Sequence, residues 1–328
     1  MKRRVSFIGV LACALCLVAS LAGCSQSGSY EGKTLTPTVS SPTIATNGTL
    51  RVGIDADGGA PFVASASSSK YSGLDVDMAA ALADQLGLKL ELVDVAGNAS
   101  GALANGDVDI VMGQSSTEKT TSMWLSDPYI ETGVALFAAD GKASVPSAGS
   151  SVSIAAQSTS TSAWAVENAF GDDAVSPASD LVSALSLVET GKADYVAADA
   201  VIGTYAALRQ SVEVQPIAVF GSKGGYCIGA SSSNTNLQKA ISNALKAISG
   251  NGVADAVCAK WLGTSLDLDS LPTIEVSASK SASVDGADSE AGTTAGSAAA
   301  TTTETASTST AGANAVQPNS TNSSSITN

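Results

Sequence analysis

Chemistry in a folded chain needs groups that ionise, ligate or attack, and this sequence offers few kinds of them. It has no histidine, so the commonest general base and the commonest metal ligand are both missing. Carboxylates dominate: 30 acids stand against 16 bases, for a net charge of -14. Such a surface repels nucleic acid and excludes it as a partner. Asp55 closes an alternating apolar run of Leu50, Val52 and Ile54. An acid at the C-terminal end of a strand faces the crevice of an open α/β sheet; a turn or helix-capping acid is the plainer reading. Asp75 and Asp77 open a helical pattern, where stabilisation of the helix terminus accounts for them. Asp199 precedes another helix and reads locally as that helix's cap. No pair of carboxylates has a convincing catalytic setting, and neither a metal site nor a cofactor site is expected. Binding is therefore favoured over catalysis.

Alternating strands and helices must position these groups. Leu74, Met78, Ala81, Leu82 and Leu86 recur at helical spacing, with Gly87 suited to the C-terminus. Leu88, Leu90 and Leu92 form a second strand, a short helix spans roughly 100–105, and a third strand follows at 108–112. This βαβαβ rhythm implies a parallel sheet covered by helices. It then restarts: strands are expected at 152–156, 195–197, 212–219 and 226–230. Helices are expected at 161–170, 180–190 and 199–209, with one helical stripe from Leu237 to Ile248 and another from Val253 to Trp261. Two α/β lobes thus share one chain, and a cleft between lobes is a usual place for a small ligand.

The ends differ in composition. Met1-Lys2-Arg3-Arg4 is basic, 5–22 is apolar without charge, and Leu21-Ala22-Gly23-Cys24 closes the run. Small residues directly before a cysteine favour a cleaved signal (1–23) over a membrane-spanning helix. The tetrapeptide resembles a bacterial lipobox, which implies that Cys24 carries lipid and becomes the new N-terminus. Residues 24–47, rich in Ser, Thr, Gly and Pro, read as a flexible tether. Residues 265–328 read as a disordered low-complexity tail, with too little apolar surface to offset the entropy of ordering. Cys13 and Cys16 leave with the signal. Cys227 and Cys258 remain, and outside the cytoplasm such a pair reads first as a disulfide. Two buried free thiols are the alternative.

Six segments, in order over about 215 residues, resemble bacterial extracellular solute-binding proteins of family 3. They are Gly48 to Asp55 with Pro61-Phe62, Gly73-Leu74-Asp75-Val76-Asp77-Met78, Leu103 to Ile110, Ser126-Asp127-Pro128-Tyr129, Gly191 to Asp194 with Asp199, and Lys260-Trp261-Leu262-Gly263. The resemblance implies two Rossmann-like lobes joined by crossover strands, with closure on the ligand in the cleft between them. Lobe 1 comprises 48–139 and 222–264, and lobe 2 comprises 140–221. It also implies a lipid-anchored monomer on the outer face of the cytoplasmic membrane. That monomer delivers an amino acid or similar small polar solute to an ABC permease. Alternatives on the same scaffold are an enzyme similar to the periplasmic cyclohexadienyl dehydratases and a ligand-presenting receptor or adhesin.

Carried over residue by residue, the resemblance makes Asp55 and Phe62 ligand contacts, although a core phenylalanine is nearly as good a reading of Phe62. Gly113, Gln114 and Ser116 fall where the family offers backbone and hydroxyl groups. Its carboxylate-binding arginine has no counterpart, because no arginine occurs between Arg51 and Arg209. Lys119 takes that place when counted back from Ser126, and Thr121 when counted forward from Asp109; a lysine lacks the planar two-pronged clamp. Ala96 replaces a wall aromatic. Both departures weigh against a standard α-amino acid as ligand. Thr159 and Ser160, in Gln157-Ser158-Thr159-Ser160, would sit at a helix N-terminus suited to a carboxylate or serve as an ordinary N-cap. Asp199 matches the acid that receives a ligand ammonium.

Overall fold

The computed structural model describes residues 34–276, except 68–69, 118–121, 140–143 and 148. Residues 1–33, which hold the expected signal and Cys24, and likewise Lys119, Thr121 and the residues beyond 276 lie outside the described residues. The chain begins with β1 (Thr49–Ile54), the short pair β2 (Ala64–Ser67) and β3 (Lys70–Ser72), α1 (Leu74–Leu86) and β4 (Lys89–Asp94). It continues through α2 (Ala99–Asn105), β5 (Ile110–Ser115), β6 (Trp124–Leu125), β7 (Ile130–Thr132) and β8 (Val134–Ala139). Next come β9 (Ile154–Gln157), α3 (Thr161–Phe170), β10 (Val175–Ala178), α4 (Leu181–Glu189), β11 (Tyr195–Asp199) and α5 (Ala200–Gln210). The chain closes with β12 (Val214–Phe220), β13 (Gly224–Ala230), α6 (Thr235–Gly250), α7 (Val253–Leu262) and β14 (Thr273–Ile274).

The first sheet runs β4-β1-β5-β13-β6, with β7 also on β13. β1 is parallel to β4 and β5, while β13 returns antiparallel. α1 lays Leu74, Met78, Leu82 and Leu86 on this sheet, and α6 adds Leu237, Ile241, Leu245 and Ile248 to the same core. The period-of-3.6 stripes fold as expected because each gives the helix one apolar face to bury. The second sheet runs β10-β9-β11-β8-β12-β14 and is apolar on both faces. The chain crosses between sheets through Gly133, and again through Gly221 to Lys223. These crossings run side by side: a Cβ on Gly133 would lie 3.6 Å from the Lys223 Cα.

Three expectations are corrected. The first crossing comes at Gly133, not at 140, because β8 pairs with β11 and β12 in the second sheet. The tether assignment fails for its C-terminal part. Ile44 is buried in the first core, the Thr38 N–H donates to the Leu86 carbonyl at 2.9 Å, and the Ala45 N–H donates to Asp109 Oδ1 at 3.0 Å. A few backbone hydrogen bonds and one isoleucine suffice to dock a segment whose composition is polar. The tail assignment fails for 265–276. Leu268 is buried in the second sheet's core, Leu266 packs on both lobes, and β14 pairs parallel with β12.

Candidate functional site

The two sheets face each other across a cleft of about 850 Å³. Its first-sheet wall starts from a backbone device. Gly73 sits at φ +151°, and a Cβ there would fall 1.9 Å from the Phe62 carbonyl oxygen. Only glycine permits that approach. The Leu74 and Asp75 N–H groups then donate to the Pro61 and Phe62 carbonyls at 2.8 and 3.1 Å. This ties the first turn of α1 to the Phe62 loop and brings Phe62 and Asp75 to the cleft together.

Asp75 is buried, with 4% exposure. The Tyr129 hydroxyl donates to its Oδ1 at 2.6 Å, and the Gly113 N–H donates to that hydroxyl at 3.1 Å. Among the described residues no donor meets Oδ2, which lies 3.1 Å from where a Gly113 Cβ would be. Burial raises the Asp75 carboxyl from 3.8 to about 6, against the smaller lowering effect of the Tyr129 hydrogen bond. Burial, followed by the charge of Asp75, pushes the Tyr129 phenol well above its usual range. Tyr226 is also raised by burial, then by Asp199 and Asp75, so its ring lies within the field of both acids. Its ring packs against Phe62 tilted by 52°, with centroids 4.4 Å apart.

Asp199 ends β11 on the opposite wall and serves two purposes. Its Oδ1 accepts the Val201 and Ile202 N–H groups at 3.0 Å each, capping α5, while its Oδ2 accepts the Thr132 hydroxyl at 2.7 Å. Desolvation raises its pKa despite these three donors. Asp199 therefore is the cap of the plainer reading and also lines the cleft.

Of the residues singled out in the sequence, Asp55, Phe62, Gly113, Gln114 and Asp199 line the cleft. Ser116 does not; its neighbours Ser115 and Thr117 do, with hydroxyls 2.8 Å apart. Thr159 and Ser160 stand back, and Thr161 and Ser162 take the wall. The Ser160 hydroxyl is occupied as the N-cap of α3, accepting the Ala163 N–H at 3.1 Å. Sequence reasoning missed Asp75, Tyr226 and Thr132. Read locally, Asp75 is a helix-terminus acid alone. Its place in the Gly73-Leu74-Asp75 motif was the available signal, while the Tyr129 partner 54 positions away was invisible.

Among the described residues, the lining includes no Lys or Arg. Arg51 is held by Asp109 at 3.0 Å, and Arg209 is exposed in the last turn of α5. Among the described residues no three His, Cys, Asp or Glu are grouped to hold a metal ion. The expected disulfide is also corrected: Cys227 and Cys258 are free and buried. Ile228 joins the core that holds Cys258, and strand alternation turns its neighbour Cys227 to the other face of the sheet. Burial raises both thiols to about 11.

The family described as bacterial extracellular solute-binding proteins, family 3, matches residues 50–264. No curated protein matches the chain. Among solved structures, an ancestral cationic amino acid solute-binding protein is 27% identical with a TM-score of 0.53, covering 66% of this chain and 96% of its own. The L-cystine solute receptor of Neisseria gonorrhoeae, unliganded and open, is 22% identical with a TM-score of 0.56, covering 67% of this chain and 95% of its own. A polar amino acid ABC uptake transporter substrate-binding protein from Streptococcus thermophilus is 21% identical with a TM-score of 0.59, covering 67% and 88%. The likeness to these last two shows the fold: two Rossmann-like lobes and a ligand cleft, as in type 2 periplasmic binding proteins.

Proposed function

The chain belongs to the bacterial extracellular solute-binding proteins of family 3, and from that premise we propose that it captures a small amine-bearing solute by lobe closure. The observation that carries this is Asp199, a desolvated carboxylate on one wall, with Asp75 and Asp55 on the other. Closure removes water, so an ammonium group between these acids gains from each of them. The 27% identical relative is described as a cationic amino acid binder, which supports the same ligand charge. The bound solute is delivered to an ABC permease, and Cys24 anchors the monomeric protein to the outer face of the membrane through lipid. Cys24→Ala is expected to release the protein into the medium; retention would refute the anchor.

A thermal-shift screen of amino acids, amines and organic acids tests the binding reading. An amine at one hundred times its Kd adds about 2.7 kcal/mol of stability. A shift produced only by acidic or neutral solutes would reject it. One feature favours the dehydratase-like alternative: Asp75, a carboxyl raised to about 6 in the cleft, suits acid–base work. Turnover of prephenate or arogenate by the purified protein would establish that activity.

A further inference from the structure

Resting on the amine-binding reading above, we infer that the cleft selects a short aliphatic dication without a carboxylate, an α,ω-diamine. Charge balance is the first argument. Asp55 at the end of β1, Asp75 in the first turn of α1 and Asp199 at the end of β11 put three carboxylates on the walls, and no described lining residue is a Lys or Arg. Closing over a monocation strands two acids in a dry site, where unpaired charge is costly. A dication pairs two of the three and leaves only one.

The second argument is the wall between the acids. Phe62 and Tyr226 pack against each other there, with Met112 and Val95 also in the lining. Their apolar surface fits a methylene chain, and the ring faces attract cations. The third is the absence of an arginine for a carboxylate. The sequence holds four: Arg3 and Arg4 in the leader, Arg51 on Asp109, and Arg209 on the outside of α5. At the α3 N-terminus Thr161 and Ser162 reach the cleft, but a helix end is a weak substitute for a guanidinium fork.

Three probes on one carbon chain test this by calorimetric titration of the purified protein: 1-aminopentane, 1,5-diaminopentane and L-lysine, which is that diamine carrying a carboxylate. The diamine is expected to bind at least about tenfold tighter than either of the others, equal to about 1.4 kcal/mol. Asp75→Asn and Asp55→Asn should each narrow the diamine-over-monoamine ratio, and melting curves identify a variant that has not folded. Equal affinity for monoamine and diamine would overturn the proposal. So would lysine binding as tightly as the diamine. If none of the three binds while a neutral or acidic solute does, the amine-binding reading itself falls.

Discussion

Replacing Asp75 by asparagine keeps the shape of the cleft and removes its most deeply buried charge. An asparagine oxygen can still accept the Tyr129 hydroxyl, so the link through Tyr129 to Gly113 survives. The folded-state pKa of Asp75, about 6, lies above its unfolded value near 3.8. Between these values the folded chain holds a proton that the unfolded chain has released, so stability falls as pH rises through the window. Above about pH 7 the full penalty applies, on the order of 3 kcal/mol at about 1.4 kcal/mol per pH unit. The α1 dipole, which favours an anion in the first turn, returns roughly 0.3–1 kcal/mol of this. Asp75→Asn should therefore stabilise the ligand-free protein by about 2 kcal/mol at pH 7.5, raising Tm by roughly 4–8 °C. Below about pH 4 the two proteins should melt together. Affinity should move the other way: the parent binds a cationic ligand better at pH 7.5 than at pH 5, and the variant loses this pH dependence along with affinity. Melting curves at pH 4 and 7.5, with titrations at pH 5 and 7.5, measure both effects. A variant that melts below its parent at pH 7.5, or a gap independent of pH, would show that Asp75 is not a strained buried charge.

Asp199→Asn should weaken binding of an amine at least about 30-fold with little change in Tm, since asparagine also caps α5; Asp199→Ala should add a Tm loss worth about 1 kcal/mol, and unchanged affinity in both variants removes Asp199 from the site. Cys227 and Cys258 should both alkylate after unfolding without reductant and resist alkylation when native at pH 8, because burial holds each thiol near 11; intact mass reads the outcome, and a species two protons lighter would reveal a disulfide. Leu268→Ala should cost about 2–5 kcal/mol by opening a cavity in the second core. A chain ending at Val276 should match the full chain in Tm and affinity, whereas one ending at Ser270 loses β14 and should melt earlier.

The sequence by itself determined the elements, because their signals are local. Leu50, Val52 and Ile54 alternate with period two, and Leu74, Met78, Leu82 and Leu86 repeat along one helical face; each pattern leads to burial of one side. It also determined that Asp55 ends a strand, which places it on the wall of a cleft between α/β lobes, and that Asp199 opens a helix; that β11 extends to Asp199 was decided by its pairing with β8. What required pairing at long range was decided only in three dimensions. Val134–Ala139 is apolar throughout, so nothing local assigns it to a sheet; β11 and β12 do. Ile44 and Leu268 sit in polar stretches, and their burial depends on cores built by distant segments. Asp75 looked like a helix-terminus acid because that role is local and real, yet its raised pKa comes from walls assembled around it by Tyr129, Gly113 and Phe62. The two cysteines looked like a pair because both map to one lobe, and only the alternation of β13 set them on opposite faces of its sheet. Local periodicity fixes which side of an element is apolar; which surfaces then meet, and how dry each acid becomes, is settled by the packing of elements far apart in the chain.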